Sequence, residues 1–224
     1  MLLEAGGAAA PDDLRKLVEK DNVLARSSGA ARAKLYTELK GRYLLDPANP
    51  LFSAFLEEWS RATNEEERAL LAFVLLALND LTVMVISAGW LFDRLRKADS
   101  ELRVGDVENF LLFACKSEHP EISAWTPSTL RRVAQHYLAS VRDFGLAKGG
   151  IKKFAVRPAL YAAPIRLLLR ALRFARIPDH RIIAHDSFRI LGIAPGEVVG
   201  VFEELNRQGS FSFRQQADII EISL

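Results

Sequence analysis

Side chains able to hold a polyanion crowd one part of this 224-residue chain. Ser128, Arg131, Arg132 and Gln135 fall on one side of a stretch with helical periodicity, and arginine and glutamine are the types that pair with guanine and adenine edges. Lys148, Lys152, Lys153 and Arg157 flank Gly149-Gly150, where cations on a tight turn would hold phosphates without reading sequence. Arg166, Arg170 and Arg173, four and three apart on an otherwise apolar stretch, form a third basic stripe. Residues 125–189 carry 13 Lys and Arg against 3 Asp, while the rest carries 17 basic and 25 acidic residues. The net charge of +2 therefore conceals a block of +10, whose field would attract and steer polyanions. The competing reading is a basic face docked on the acidic N-terminal half or on an acidic partner protein.

Enzyme chemistry finds less to work with. His180 and His185 are five apart, so they do not share a helical face as an i, i+4 pair would, and Asp186 alone does not complete a ligand set. There is no phosphate-binding glycine loop with lysine, no dinucleotide fingerprint and no nucleophile elbow. Glu57-Glu58 and Glu65-Glu66-Glu67 read as solvated helix charges rather than an acid/base pair. The expectation is a protein with no catalytic residue, metal, cofactor or small-molecule substrate.

The elements that must position these residues are mostly helices. Asp12 and Asp13 open a segment with Leu14, Leu17 and Val18 on one side, a second runs from Ala30 to Tyr43, and Pro47 and Pro50 precede a third from Leu51 to Trp59. Thr63 or Asn64 caps the next, with Glu65 to Glu67 at its positive end. From Ala69 to Phe92 the only charge is Asp80, but Asn79 and Asp80 at the midpoint predict two core helices meeting at a polar turn instead of a membrane span. Beyond Arg103, a helix capped by Asp106 reaches about Lys116, a turn at Pro120 follows, and Thr126-Pro127 starts a longer helix. Leu130, Val133, Ala134, Tyr137, Leu138, Val141 and Phe144 give that helix a buried stripe. Phe144 to Arg157 reads as a β-hairpin turning at the glycine pair. Helix, turn, helix, basic hairpin is the order of a winged helix. A weaker copy follows: helices at Pro164–Arg176, Asp186–Leu191 and Pro195–Asn206, then strands at Ser210–Phe213 and Ile219–Ile222, with Asp218 and Glu221 making this second hairpin structural.

The expected fold class is mainly α, with a helical bundle over residues 1–103 and a winged-helix-like, nucleic-acid-binding region over 104–224 that carries short β-hairpins. Cys115, alone among apolar neighbours, reads as a buried thiol in a reducing compartment. Met1 to Leu14 carries Glu4 and lacks a basic leader, so it does not read as a signal peptide, and a cytoplasmic location is expected.

Two stretches resemble a known family. Asp21-Asn22-Val23-Leu24-Ala25-Arg26-Ser27-Ser28, continuing through Arg32 to Leu39 and Arg42, is similar to the start of the BrxA family of BREX bacteriophage-exclusion systems. Trp125-Thr126, Arg131, Arg132 and Asp143-Phe144-Gly145-Leu146 resemble that family's central helix and its exit. The resemblance implies a cytoplasmic defence protein that binds duplex DNA, works with other phage-defence proteins and has a helical fold similar to the antitermination factor NusB. It supplies no catalytic residues. A protein-docking subunit and an RNA-binding, NusB-like protein are the alternative expectations.

Overall fold

A computed structural model describes residues 11–113, 122, 124–216 and 219–224. Cys115, Lys116, the turn at Pro120 and Asp218 lie outside the described residues. The chain is mainly helical, with two small antiparallel sheets.

Each N-terminal helix has a local reason to start where it does. α1 (Pro11–Glu19) is followed by α2 (Gly29–Tyr43), where the Ser28 side chain accepts from the Ala31 N–H. Between them Arg32 donates to the Glu19 and Arg26 carbonyls, while Asn22 and Ala25 turn the chain at positive φ. Asn49 caps α3 (Pro50–Arg61) by accepting from Leu51 and Phe52. α4 (Glu65–Asn79) starts with a reciprocal pair: Asn64 accepts from the Glu67 N–H at 2.8 Å, and Glu67 accepts from the Thr63 N–H at 2.9 Å.

α4 and α5 (Leu81–Leu95) meet at a bend of 111°. Asp80 closes the first helix and caps the second, accepting from the Val83 N–H at 3.2 Å, while the Asn79 amide donates to the carbonyls of Gly41 and Arg42. No single helix among the described residues is long and apolar enough to cross a membrane. Leu71, Phe73, Val74 and Leu75 are fully buried. Within α5, residues Ser87–Leu91 form a π turn. It brings the buried Ser87 hydroxyl to 2.8 Å from the Tyr137 hydroxyl and lays Gly89 against Phe110, where a Cβ would come within 2.6 Å of the ring. Burial pushes the Tyr137 phenol well above its usual value.

Next come β1 (Glu101–Leu102), α6 (Val104–Phe113), α7 (Pro127–Asp143), β2 (Ala147–Lys148) and β3 (Lys153–Ala155). The strands form one antiparallel sheet in the order β1-β3-β2, with Phe154 opposite both Glu101 and Lys148. β1 is an addition to the sequence expectation, since two residues cannot display a period-two pattern. α6 opens at Val104, so Asp106 sits inside its first turn rather than at its cap.

The C-terminal part is built on α8 (Ala162–Phe174), which packs against α3 and α4 through Ala163, Ile165, Leu168 and Leu172. A short helix, α9 (Asp179–Ile182), two 3-10 turns (Asp186–Leu191 and Pro195–Glu197) and α10 (Val198–Arg207) lead to the hairpin β4 (Ser212–Gln216) and β5 (Ile219–Ser223). Phe202 of α10 gathers Phe188, Phe211 and Phe213 edge-on. Backbone groups of this hairpin are taken by side chains: Asn206 accepts from Phe213 N–H, Asp179 accepts from Ile222 N–H, and Arg173 donates to the Ile222 carbonyl. One apolar cluster runs from Leu14 to Ile222, so the elements on either side of residue 103 share a core.

Candidate nucleic-acid interface

α7 carries its two faces as the spacing requires. Thr126 accepts from the Thr129 N–H at 3.2 Å and Pro127 occupies the first turn, which fixes the helix start. Leu130, Ala134, Tyr137, Leu138 and Val141 are buried, with Val133 and Phe144 half-buried beside them. Ser128, Arg131, Arg132, Gln135 and Arg142 are exposed. His136 shares this outer side one turn beyond Arg132, a position that i, i+4 spacing points to. Gly145 ends the helix at φ +80°, and the Leu146 N–H returns to the Val141 carbonyl at 2.8 Å.

The hairpin turns where the glycines stand. Gly149 has φ +101°, and a Cβ there would lie 2.2 Å from the Lys152 carbonyl oxygen, so no other residue fits without rebuilding the turn. Lys148, Ile151 and Lys152 are exposed around it, and Ile151 is the most exposed large apolar side chain described. Lys153 folds back to donate to the Gly150 carbonyl at 3.0 Å.

The cations divide into three groups. Among the described residues, no hydrogen bond or ion pair takes up the side chains of Arg131, Arg132 or Lys148. Lys152 is also exposed, and its charge helps hold the Glu101 carboxyl below its usual range, behind the larger effect of the Arg103 hydrogen bond. A second group is half committed. Arg142 bonds Asp143 at 2.7 Å, and Arg157 reaches Glu197 at 3.4 Å beside Arg96, which bonds the same carboxylate at 2.5 Å.

The stripe on α8 forms the third group. Arg166 grips Glu58 at 2.7 Å, and Arg170 bonds Glu57 at 2.7 Å and Glu58 at 3.5 Å. The Arg166 side chain keeps 11% of its surface, and Glu58, expected as a solvated charge, keeps 0%. Glu58 is a buried acceptor for Arg166, Arg170 and Arg61. Arg173 pairs with Asp179 at 3.2 Å. Two further acidic residues of the N-terminal half meet the start of α8: Glu67 accepts from the Ala163 N–H at 3.1 Å, and Glu66 from the Tyr161 hydroxyl at 2.7 Å. The structure therefore commits Arg166 and Arg170 to carboxylates of α3, and the half-exposed Arg173 to Asp179 and the C-terminal hairpin.

Near the C-terminus, His185 accepts from the Ser187 N–H and sits 2.9 Å from its hydroxyl, capping a 3-10 turn. Among the described residues no three His, Cys, Asp or Glu side chains are grouped to hold a metal ion.

What emerges is a mainly helical protein containing a strand, helix, helix and hairpin unit whose outer side carries exposed cations that have no partner among the described residues. The chain belongs to the BrxA family of BREX phage-defence systems: the family's model matches residues 7–172, from before α1 to near the end of α8. No curated protein and no solved structure matches the chain.

Proposed function

We propose that this BrxA-family chain is a non-catalytic component of a BREX phage-defence system that binds duplex DNA through α7 and the β2–β3 hairpin. The observation that carries the reading is the strand order β1-β3-β2, with α6 and α7 inserted between β1 and β2. That order supports a winged-helix reading, in which the second helix would enter the major groove and the hairpin would lie along the backbone. In this reading Arg131, Arg132 and Gln135 meet base edges or phosphates, Ser128 sits at the positive end of the helix, and Lys148, Lys152 and Lys153 hold phosphates. Arg157 is a secondary contact. Arg166 and Arg170 instead tie α8 to α3, and Arg173 ties it to Asp179 and the C-terminal hairpin. The likeness to NusB rests on the family resemblance and on the helical N-terminal half. Other proteins of the defence system are the expected partners, and the cytoplasm the expected place.

The test is a salt titration of binding to duplex DNA, with structured RNA as competitor. About four exposed cations reaching phosphates give a slope of log affinity against log salt on the order of −4, at about −0.9 per contact. Absence of any salt-sensitive affinity for duplex, or preference for the RNA, sinks the reading. A stable complex with an acidic protein but no shift of duplex DNA would favour the docking alternative.

A further inference from the structure

Between the C-terminal end of α2, the start of α5 and the flank of α7 lies an open cleft of about 270 Å³. Its floor is apolar, formed by Leu76, Val83 and Ile86, and the indole of Trp125 stands at its edge. Arg42 and Arg132 border it from separate helices, 90 positions apart in sequence, with His136 one turn along from Arg132. Among the described residues, no hydrogen bond or ion pair takes up either guanidinium. Among the described residues the one carboxylate in the lining is Asp80, whose Oδ1 accepts from the Val83 N–H at 3.2 Å, with its second oxygen able to accept from a ligand.

Each part of this lining selects for something. Two guanidiniums lining one space, neither with a partner among the described residues, call for an anion with several oxygens, and phosphate suits them best. Inorganic phosphate has no use for an apolar floor and an indole, which suit a flat aromatic ring. A carboxylate oxygen within an otherwise cationic rim suits N–H donors on the edge of that ring. The volume is near the lower limit for ligand pockets, roughly 300 Å³, so it admits one nucleotide and not a folded segment.

We propose that this cleft binds a nucleoside phosphate whose base carries N–H donors, with the phosphate on Arg42 and Arg132, the base on the apolar floor beside Trp125, and Asp80 accepting from the base edge. The ligand is either a free nucleotide or an unpaired nucleotide of a strand lying along α7. The proposal shares Arg132 with the duplex reading but stands on Arg42, Trp125 and Asp80, which play no part in that interface.

Calorimetric titration of the full chain with GMP tests it, alongside guanosine, inorganic phosphate, and duplexes with and without a single unpaired guanosine. GMP is expected to saturate one site and to bind more tightly than guanosine or phosphate. Arg42→Gln should weaken GMP roughly tenfold or more, the worth of one charge-assisted hydrogen bond, and Arg42→Lys should recover part of the loss. Both variants should melt like the parent, since Arg42 is exposed. Lys148→Glu with Lys152→Glu should leave GMP binding unchanged even where it abolishes duplex binding, so failure of one reading is distinguishable from failure of the other. If the bulged duplex displaces GMP, the strand is the source; if only the free nucleotide binds, the ligand is soluble. The proposal is overturned if GMP and phosphate bind equally, if Arg42→Gln changes nothing, or if neither GMP nor the unpaired guanosine is bound.

Discussion

The outer face of α7 and the inner face of α8 look alike in sequence and differ completely in space. Both present arginines at helical spacing within the same basic block. On α8 the cations meet a fully buried carboxylate, Glu58, and its neighbour Glu57, whereas on α7 and its hairpin Arg131, Arg132 and Lys148 meet no acceptor among the described residues. A local charge sum thus counts two populations as one. Cations that close the core add nothing to an external field, because their partners neutralise them on the spot; only the unpaired set remains to steer a polyanion.

The strongest way to break this contrast is at Glu58. Replacing it by alanine leaves Arg166 and Arg170 buried without their shared acceptor, and losing one partner of a buried pair costs about 3 to 5 kcal/mol. Urea unfolding of Glu58→Ala should register that loss, while duplex affinity of the folded fraction stays at the parent value. A cost below about 1 kcal/mol, the range of surface pairs, would mean that the α8 arginines are external after all.

The two faces of α7 allow a second comparison. Leu138 is 2% exposed, so Leu138→Ala should cost about 2 to 5 kcal/mol, whereas Arg131→Ala should stay within about 0.5 kcal/mol in the same unfolding assay and act on binding alone. Equal destabilisation by the two would show that Arg131 is a structural residue.

A third test moves from stability to affinity. Lys148→Glu with Lys152→Glu should weaken duplex binding about a hundredfold and lower the salt slope by about 2, as two phosphate contacts disappear. Arg176→Glu with Arg181→Glu makes the same charge change inside the same basic block, on exposed residues remote in sequence from the hairpin, and should change affinity far less. Similar losses from both pairs would point to the charge of the whole block, with no particular face responsible.

How much of this is legible in the sequence depends on the range of the interaction. The start of α7 at Thr126-Pro127, its two faces and the turn at Gly149-Gly150 were readable, because capping, helical period and positive φ act within a few residues. The break at Asn79-Asp80 was readable for the same reason, as one side chain ends α4 and caps α5. β1 leaves no mark in the sequence because two residues carry no periodicity, although it supplies the third strand. The pairing of Arg166 with Glu58 spans 108 positions, and the helical pattern of either segment is the same whether its charges face water or each other. The cleft was equally hidden, since Arg42 and Arg132 meet only through the packing of α2 and α7 around α5.

Arg157 lies between the two populations, and its test has the smallest expected effect. It reaches Glu197 at 3.4 Å, with Arg96 on the same carboxylate, Arg157 exposed and Glu197 half-buried. The Glu197 carboxyl is held below its usual range, first by the Arg96 hydrogen bond and then by the Ala194 N–H, with Arg157 adding attraction at longer range. A carboxyl whose folded value is depressed contributes stability that is present above its unfolded value and lost as pH falls through the folded one. The loss therefore belongs to acid conditions below about pH 4.3, where an unfolded glutamate takes up its proton. Solvent screening keeps this contribution to about 0.5 kcal/mol or less. Glu197→Gln should accordingly flatten the acid limb of the stability profile slightly and leave neutral stability almost unchanged. It should also release Arg157 toward phosphate and tighten duplex binding by about twofold at low salt, an increment that fades as salt screens it. An unchanged affinity together with an unchanged salt slope would place Arg157 with the internal cations and leave the duplex interface to α7 and the hairpin lysines.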